Sequence, residues 1–270
     1  MIDTFDRDHP WPGQCGVSHL FKFTRLDDAA PERLRQVLVE GRLYHALPRD
    51  FNDPWDCRPA VQSLSDGHAL ARARNHLVRV LREQMPRREA EREATATLSN
   101  VEQTHAQLQD ALEETYGSVR VCSFAGRKDN HLLWAHYAAA HSGLCLEFDA
   151  RKIPFSFARK VKYQSEYPTL EYPLKLDKCA LVPLLTKSKD WAYEDEFRSL
   201  LNPNAPPPFP NYSEGIEIAL DALTGVYLGA KMTAKHSEQI VDWVGEGPFQ
   251  PTLWQVTAQR SSFALNFARL

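Results

Sequence analysis

The sequence predicts an α+β fold built on a mixed, mostly antiparallel sheet frame with an inserted helical hairpin. Short apolar stretches that suit strands recur from residue 19 to residue 257, separated by turns or short helical segments. The stretch 64–118 is instead rich in Ala, Arg, Glu, Gln and Leu at helical spacing. We therefore expect a single domain over 19–270, preceded by a loose N-terminal arm at 1–18.

The domain is expected to open with a strand, a helix and a second strand. Residues 19–24 are typical of a strand with two phenylalanines on one face. A helix follows, because Pro31 suits a first helical turn and Gly41 suits the position just past a last turn. Residues 43–47 form the second predicted strand, which leads into the strong turn signal of residues 52–54, Asn-Asp-Pro.

The helical stretch and the elements after it complete the prediction. Pro86 interrupts the helical pattern, which gives a hairpin with its second helix at about 89–115. Charges of alternating sign favour a solvated helical cover over a docking arm. Five prolines make 202–210 a surface loop rather than a central strand. Further strands are predicted at 118–124, 144–149, 161–163, 179–182, 225–229 and 253–257, and further helices at about 130–142 and 234–244.

Composition excludes several classes of function. The chain has 32 Lys and Arg against 35 Asp and Glu, a net charge of −3 that is unsuited to coating nucleic acid non-specifically. No apolar run approaches the length of a membrane span, so we expect no membrane partner. Five scattered cysteines without a CxxC pair favour a reduced, cytoplasmic protein. His131, His136 and His141 recur every five residues, cannot face one ion from a helix, and predict no metal site.

The strongest candidate site is the acidic segment at 191–198, Trp-Ala-Tyr-Glu-Asp-Glu-Phe-Arg. If the segment is extended, Glu194, Glu196 and Arg198 share one face of a strand. Neighbouring carboxylates repel, and Arg198 could supply the intervening cation; we also expect Arg198 among the residues that bind a cofactor directly. Such a pair can do acid–base work or stabilise a developing cationic sugar. The alternative is an edge strand with an ordinary surface ion pair.

A second candidate lies in the helix predicted at about 130–142. Trp134, Tyr137 and His141 form an aromatic stripe, and His136 lies beside it. Such a stripe either packs in the core or forms a stacking wall for a ring, with His136 or His141 against a ribose or phosphate.

Phosphate recognition has weaker signals. Lys22 and Arg25, beside the first strand, are possible anion ligands. The chain has no GxGxxG or P-loop glycine pattern, so neither a Rossmann dinucleotide site nor P-loop phosphoryl transfer is expected. Cys122 and His136 could form a nucleophilic pair, but no GxSxG elbow accompanies them.

A set of motifs occurs in a fixed order along the chain. They are Leu-Phe-Lys-Phe at 20–23, Leu-Tyr-His-Ala at 43–46 through Phe-Asn-Asp-Pro-Trp-Asp at 51–56, Val-Cys-Ser-Phe at 121–124, Leu-Trp-Ala-His-Tyr-Ala at 133–138, His-Ser-Gly-Leu-Cys-Leu-Glu-Phe at 141–148, Lys187 with 191–198, and Tyr-Leu-Gly at 227–229. Together they resemble a bacterial family catalogued as domain of unknown function 2971. The resemblance covers most of the chain outside 64–118. It supplies no activity, and it makes Asn52 and Asp53 either substrate contacts or a structural turn.

The order of the candidate residues is also similar to that in ADP-ribosyltransferases. An early basic strand residue, a central Ser–aromatic strand and a late Glu-x-Glu carry this fold-level similarity. It implies that Glu196 binds the nicotinamide ribose and stabilises an oxocarbenium-like state, with Ser123 as support. Lys22 departs from a plain His or Arg, and Ser-Phe departs from Ser-Thr-Ser. The similarity further implies that Tyr137 or Trp134 stacks on nicotinamide. It also implies that Lys22 or Arg25 holds the ribose or the pyrophosphate.

Three functional hypotheses follow. The first is an NAD-consuming transferase or glycohydrolase that acts as a bacterial stress or phage-defence effector. Its small-molecule nucleotide substrate is NAD, and no tightly bound cofactor is expected. The macromolecular acceptor is left open. The second is a non-catalytic sensor or partner-binding module of such a system. The third is a metal-dependent nuclease or phosphodiesterase, with Mg²⁺ held by the group Asp53, Asp56, Glu194, Glu196 and Lys187.

Overall fold

An eight-stranded sheet is the framework of the protein in the computed structural model, which describes residues 4–26, 31–174, 177–201 and 215–270. All neighbouring strands run antiparallel except one parallel pair, β12 and β13, so the predicted α+β class with a mixed, mostly antiparallel sheet is confirmed. From one edge to the other the strands are β14 (Leu265–Arg269), β13 (Thr252–Ala258), β12 (Leu223–Leu228), β5 (Leu144–Asp149), β1 (His19–Thr24), β4 (Arg120–Ala125), β10 (Glu196–Leu201) and β6 (Arg159–Lys160).

Shorter elements surround this sheet. Three ribbons of two strands pair β2 (Arg42–Tyr44) with β11 (Gly215–Glu217), β3 (Ala60–Val61) with β8 (Thr169–Leu170), and β7 (Lys162–Gln164) with β9 (Thr186–Ser188). The helices of the described ranges are α1 (Thr4–Asp8), α2 (Glu32–Arg35, continued by a π-helical turn at Gln36–Glu40), α3 (Gly67–Leu81), α4 (Arg87–Thr97), α5 (Val101–Gly117), α6 (His131–Tyr137) and α7 (Ala234–Glu246). In that part of the chain no helix is long and apolar enough to cross a membrane.

The sheet has a packed core on each face. Along β1, successive side chains alternate between the two faces, so Leu20 and Phe21 enter different cores. On the face of Leu20, the helices α2 and α7 contribute Leu38 and Ile240 to the larger core. On the face of Phe21, α6 contributes Trp134 to the smaller core. The helices thus cover the sheet on both sides.

The sheet is split between its two central strands. β1 pairs with β5 over six residues, and β4 pairs with β10 over six, but β1 and β4 are in register only at Phe21 and Ala125. Further along β4, Val121 exchanges backbone hydrogen bonds with Ala46 instead, at 2.8 and 2.9 Å. Because the two strands diverge, a gap opens in the middle of the sheet.

The helical insertion contains three helices, which corrects the predicted hairpin. Pro86 does precede a helix, α4, but the predicted second helix is broken into α4 and α5 at residues 98–100. The break arises because the Asn100 side chain accepts a hydrogen bond from the backbone N–H of Gln103 at 3.0 Å and so starts a new helix. α5 packs toward the sheet through Leu112 and Tyr116.

The N-terminal segment packs against the domain where a loose arm was predicted. Asp6 receives hydrogen bonds from Arg159 and Lys178, each at 2.8 Å, and Asp8 pairs with Lys162 at 2.7 Å. His9 is buried, and its Nδ1 lies 3.0 Å from the carbonyl oxygen of Lys160. Ion pairs distant in sequence therefore anchor residues 4–18, and no pattern in the segment itself could reveal them.

One predicted strand is a 3₁₀ turn and another begins as one, and the strands β3, β6, β8, β9, β11 and β14 were not predicted. The segment predicted as a strand at 179–182 lies in a turn over Lys178–Leu185, because Asp177 caps the Cys179 N–H and Pro183 removes a donor. The segment predicted as extended at 191–198 begins as a turn over Lys189–Glu194 and becomes a strand only at Glu196. The proline-rich loop at 202–210 lies outside the described residues.

Candidate active site

A cavity of about 330 Å³ occupies the split of the sheet, and we call it the split cavity. Its volume lies near the lower end of the range of about 300–1,000 Å³ that is usual for small-molecule sites. Ten of the residues singled out from the sequence line it: Lys22, Arg25, Asn52, Asp56, Ser123, His136, Tyr137, Lys187, Glu194 and Glu196. Segments that are far apart in the chain therefore meet around one cavity.

The acidic dyad is formed by a turn followed by a strand. Asp195 has a left-handed φ of +47°, a conformation that Asp tolerates better than most residues. This residue ends the turn of Glu194 and starts the strand of Glu196. The two glutamates thus share the cavity wall, although the alternation of a continuous strand is not what brings them together.

Lys187 joins three carboxylates beneath the cavity. Its Nζ lies 2.7 Å from Oε2 of Glu194 and 3.5 Å from carboxylate oxygens of Asp56 and Glu196. All four side chains are buried. Burial opposes the charge of an amine, but the surrounding carboxylates raise the pKa of Lys187 above its ordinary value. Lys187 is therefore a permanent cation in this cluster.

Arg198 lies behind the dyad and does not line the split cavity. Its guanidinium holds Asp56 with hydrogen bonds of 2.8 and 2.6 Å and Glu196 with hydrogen bonds of 2.7 and 3.1 Å. A further hydrogen bond of 2.8 Å goes to the carbonyl oxygen of Leu184. Arg198 thus supplies the intervening cation that the sequence predicted, but its contacts do not support its expected role in binding a ligand directly.

The two glutamates have opposite pKa shifts. Burial alone would raise the pKa of Glu196, but Arg198 and Lys187, aided by the hydroxyl of Ser123, lower it to about 2. Burial and the neighbouring Glu196 charge instead raise the pKa of Glu194, and this outweighs Lys187. One glutamate is therefore a fixed anion, and the other is suited to gain or lose a proton.

Tyr137 connects Glu194 to the cavity mouth. Its hydroxyl donates to Oε1 of Glu194 at 2.5 Å and accepts from the Asn52 amide at 3.4 Å. Burial and the Glu194 carboxylate both raise the pKa of Tyr137. The exposed His136 stands beside it, with 6.4 Å between the two ring centres. These side chains form a polar chain from the buried cluster to solvent.

Two basic residues enter the cavity from β1 and its end. The Lys22 ammonium donates to the carbonyl oxygen of Ser123 at 3.4 Å, which spans the split between the two strands. Arg25 is exposed at the rim. Within the described ranges neither side chain forms an ion pair with a carboxylate. Both cations are therefore available to an anionic ligand.

Three candidate residues do not face the split cavity. Trp134 is completely buried, its indole N–H donates to the carbonyl oxygen of Lys128 at 2.7 Å, and it belongs to the core rather than to a stacking wall. His141 stacks on Trp134 and does not line the cavity. Asp53 is buried in its turn and accepts a hydrogen bond from the Trp55 N–H at 3.0 Å, so its contacts match the structural alternative.

The carboxylate cluster is organised around cations of the protein itself. Lys187 and Arg198 already contact Asp56, Glu194 and Glu196 in the positions that a divalent ion would need. In the described ranges no group of three or more His, Cys, Asp or Glu side chains is arranged to hold a metal ion. The local geometry thus gives no support to the nuclease hypothesis.

Sequence reasoning gave Asp56 and Lys187 a role only in the nuclease hypothesis. Both lie in the motifs that carry the family resemblance, which was the one available signal for them. Tyr163 was not singled out at all, although its hydroxyl accepts a hydrogen bond from the backbone N–H of Glu196 at 2.9 Å. Phe51, which lines the cavity, lies in one of the same motifs but was given no role.

Comparisons with protein-family models, with curated proteins and with solved structures found no match to this chain. The resemblances described above therefore stay predictions, and the argument for function depends on the site itself.

Proposed function

We propose that the protein binds NAD in the split cavity and cleaves the bond between nicotinamide and ribose. The observation that carries this proposal is the polarity of the cavity. A buried, ionised Glu196 lies in one wall, and Lys22 and Arg25, which form no ion pair within the described ranges, lie in another. NAD has the complementary polarity, because positive charge develops on its ribose during cleavage while its phosphates are anionic.

The proposed reaction uses the two glutamates differently. The glycosidic bond from C1′ to the nicotinamide nitrogen breaks, and its electron pair leaves with nicotinamide. Glu196 stabilises the positive charge that develops at C1′. Water or an acceptor hydroxyl then adds to C1′, and its proton passes to the ionised form of Glu194, whose pKa is raised by burial. ADP-ribose or an ADP-ribosylated acceptor is the product.

The other cavity residues would position the substrate. Tyr137 offers an aromatic ring and His136 an imidazole near the mouth, where the nicotinamide would enter. Lys22 and Arg25 would hold the ribose and pyrophosphate. A non-catalytic partner module does not need such convergence of polar groups in a concave site, and this favours the enzyme hypothesis.

The test is release of nicotinamide from NAD. We expect the wild-type protein to release nicotinamide and to bind a non-hydrolysable NAD analogue in isothermal titration. Glu196→Gln should lower turnover by about 100-fold or more, because it removes the charge but keeps the shape of the side chain.

The matched control is Glu147→Gln on β5, another strand of the same sheet. Glu147 is also largely buried and accepts hydrogen bonds from Tyr227 at 2.6 Å and Thr224 at 2.9 Å, but it does not line the split cavity. This variant should retain turnover. A flat titration with no nicotinamide release from the wild type, or equal turnover in Glu196→Gln, would contradict the proposal.

A further inference from the structure

A second cavity of about 470 Å³ lies on the other side of the carboxylate cluster. It shares Asn52, Asp56 and Lys187 with the split cavity, so these three residues form the partition between the two. Its remaining walls come from residues 53–55, 164–168, 186, 188, 190 and 191. Its volume lies within the range of about 300–1,000 Å³ that is typical of small-molecule sites.

The walls of this second cavity are negatively charged. Asp53, Glu166 and Asp190 line it, and in the described part of the chain none of the three forms an ion pair with a basic side chain. The one ammonium in the wall, that of Lys187, is already engaged by Glu194 at 2.7 Å. The cavity wall therefore carries an excess of negative charge, which favours a positively charged ligand.

Aromatic side chains are presented to solvent at the same place. Trp55 is 68% exposed and Tyr167 is 44% exposed, which is unusual for side chains with so much apolar surface. Trp191 also lines the wall, and the Lys187 ammonium lies 4.7 Å from the centre of its ring. The face of an aromatic ring attracts a cation, most strongly for Trp. Carboxylates and exposed rings therefore select the same kind of ligand.

An unsatisfied hydroxyl points to a ligand independently of these charges. Thr186 lies in the cavity wall on β9, is only 4% exposed, and has no hydrogen-bond partner for Oγ1. It is the one such buried side-chain atom in the ranges that the structure describes. A buried hydroxyl without a partner is costly, and a ligand that displaces the atoms covering Oγ1 would satisfy it with an N–H group.

We propose that the second cavity binds an organic cation, an ammonium or guanidinium group carried on an alkyl chain. The described residues offer no metal-binding cluster at this place, and aromatic walls suit an organic cation better than a hydrated metal ion. The charged end lies between Asp190 and Glu166, the alkyl chain contacts Trp55, and an N–H of the ligand reaches Thr186. This site does not depend on what the split cavity binds.

Isothermal titration with three neutral-backbone probes and a polyamine tests the proposal. The two cationic probes are N-acetyl-arginine amide and N-acetyl-lysine amide with its free side-chain amine. The neutral probe is N-acetyl-citrulline amide, which has a similar shape to the arginine probe without the charge. The polyamine is spermidine. We expect binding of at least one cation that weakens with added salt, and no binding of the citrulline probe. Binding of the amino-acid probes alone indicates a peptide side chain as the source of the cation, and binding of spermidine alone indicates a free polyamine.

Three variants and one control locate the binding. Trp55→Ala and Asp190→Asn should each weaken affinity about two- to fivefold, the effect of one exposed cation–π contact or one exposed charge pair. Thr186→Val should weaken affinity but raise the melting temperature, because it removes the unsatisfied hydroxyl from the free protein. Asp242→Asn removes the same charge from the exposed surface of α7 and should leave affinity unchanged.

Several results would overturn this proposal. They are the absence of heat with every cation at millimolar concentration, equal binding of the citrulline probe, and unchanged affinity in both Asp190→Asn and Thr186→Val. Nicotinamide release in the same preparations is measured separately, so failure of the cation site and failure of the NAD hypothesis are distinguishable.

Discussion

At the scale of single residues, the buried cluster is notable for its imbalance of charge. Asp56, Glu194 and Glu196 contribute three carboxyl groups, while Lys187 and Arg198 contribute two cations. A buried group with one excess negative charge is costly unless a proton or a cationic ligand compensates it. The raised pKa of Glu194 shows where such a proton would reside. Arg198 is the cation whose loss would unbalance the cluster most.

Arg198→Met should therefore lower the free energy of unfolding by about 3–5 kcal/mol, because it leaves Asp56 and Glu196 buried without their main partner. Urea unfolding measures the change. Arg87→Met is the control, because the pair of Arg87 and Glu91 has similar geometry on the exposed surface of α4, and its loss should leave stability almost unchanged. Similar stability of both variants would show that the cluster is not energetically coupled.

A second residue-scale prediction concerns pH. His45 is fully buried, with Nδ1 3.2 Å from the carbonyl oxygen of Leu43 and Nε2 3.0 Å from the hydroxyl of Ser199. Because a carbonyl only accepts, Nδ1 donates and Nε2 accepts. Burial lowers the pKa of His45 to about 4, against about 6.5 for an unfolded chain.

Between pH 6.5 and pH 4 the unfolded chain therefore binds more protons at His45 than the folded protein does. The contribution of His45 to the free energy of unfolding is complete above pH 6.5. It falls by about 3 kcal/mol as the pH falls through this window. Urea unfolding at a series of pH values measures the loss. In His45→Gln the free energy of unfolding should depend less steeply on pH in this range. An identical pH profile for the variant would assign the loss to other groups.

At the scale of elements, the sequence predicted those whose boundaries are set by local chemistry. α2 ends at Gly41, which has a left-handed φ of +68°, and α6 begins after Asn130, whose side chain accepts from the Leu132 N–H at 3.0 Å. The elements that were wrong or missed depend on distant partners. β14 is an edge strand defined by its pairing with β13, and the turn before Glu196 is fixed by contacts of Glu194 with Lys187.

The end of α6 offers a prediction at this scale. Ala139, Ala140 and His141 all have positive φ, a strained path for residues with side chains. Gly143 follows, and a Cβ there would lie 2.4 Å from the Thr24 carbonyl oxygen and 2.9 Å from the backbone of Ala138. This close approach holds the end of α6, and with it Tyr137, against the end of β1.

Gly143→Ala should thus destabilise the protein by about 1–3 kcal/mol, because backbone on two sides must move to admit a methyl group. It should also reduce nicotinamide release, because the displaced α6 carries the cavity residue Tyr137. Gly13→Ala is the control: Gly13 has open space around its Cβ position, and the change should stay within about 0.5 kcal/mol. Thermal and urea unfolding, together with the activity assay, compare the two. Equal stability would show that α6 adjusts freely.

At the scale of the whole molecule, the split cavity depends on contacts that no local pattern encodes. The sequence showed that Glu194, Glu196 and Arg198 lie near one another, since consecutive members are two residues apart, although the turn at Asp195 rather than strand alternation brings the two glutamates to one wall. It could not place Asp56, which is 142 residues from Arg198 and yet holds it with two hydrogen bonds. Nor could it show that β1 and β4 diverge, because strand pairing is decided by the other strands and by the bridge at Ala46. The cavity is therefore a property of the assembled sheet.

The same assembly predicts a hierarchy of local stability. The strand β5 lies between β1 and β12, and three of its six residues, Leu144, Leu146 and Phe148, belong to the large apolar core. α4 instead packs on α3, buries only the small side chains Ala90 and Ala94, and exposes most of its remaining surface. Because opening α4 exposes little apolar area, its amides should exchange through a local opening, whereas those of β5 should require global unfolding.

Native-state hydrogen exchange in low concentrations of urea measures this difference. We expect a smaller opening free energy and a weaker urea dependence for α4 than for β5, with α5 between them because Leu112 and Tyr116 anchor it beside the sheet. Destabilising the sheet core with Phe148→Ala should lower the opening free energy of β5 by about 3–5 kcal/mol but leave the local opening of α4 unchanged. Equal protection of α4 and β5, changing together in the variant, would instead mean that the helices and the sheet unfold as one cooperative unit.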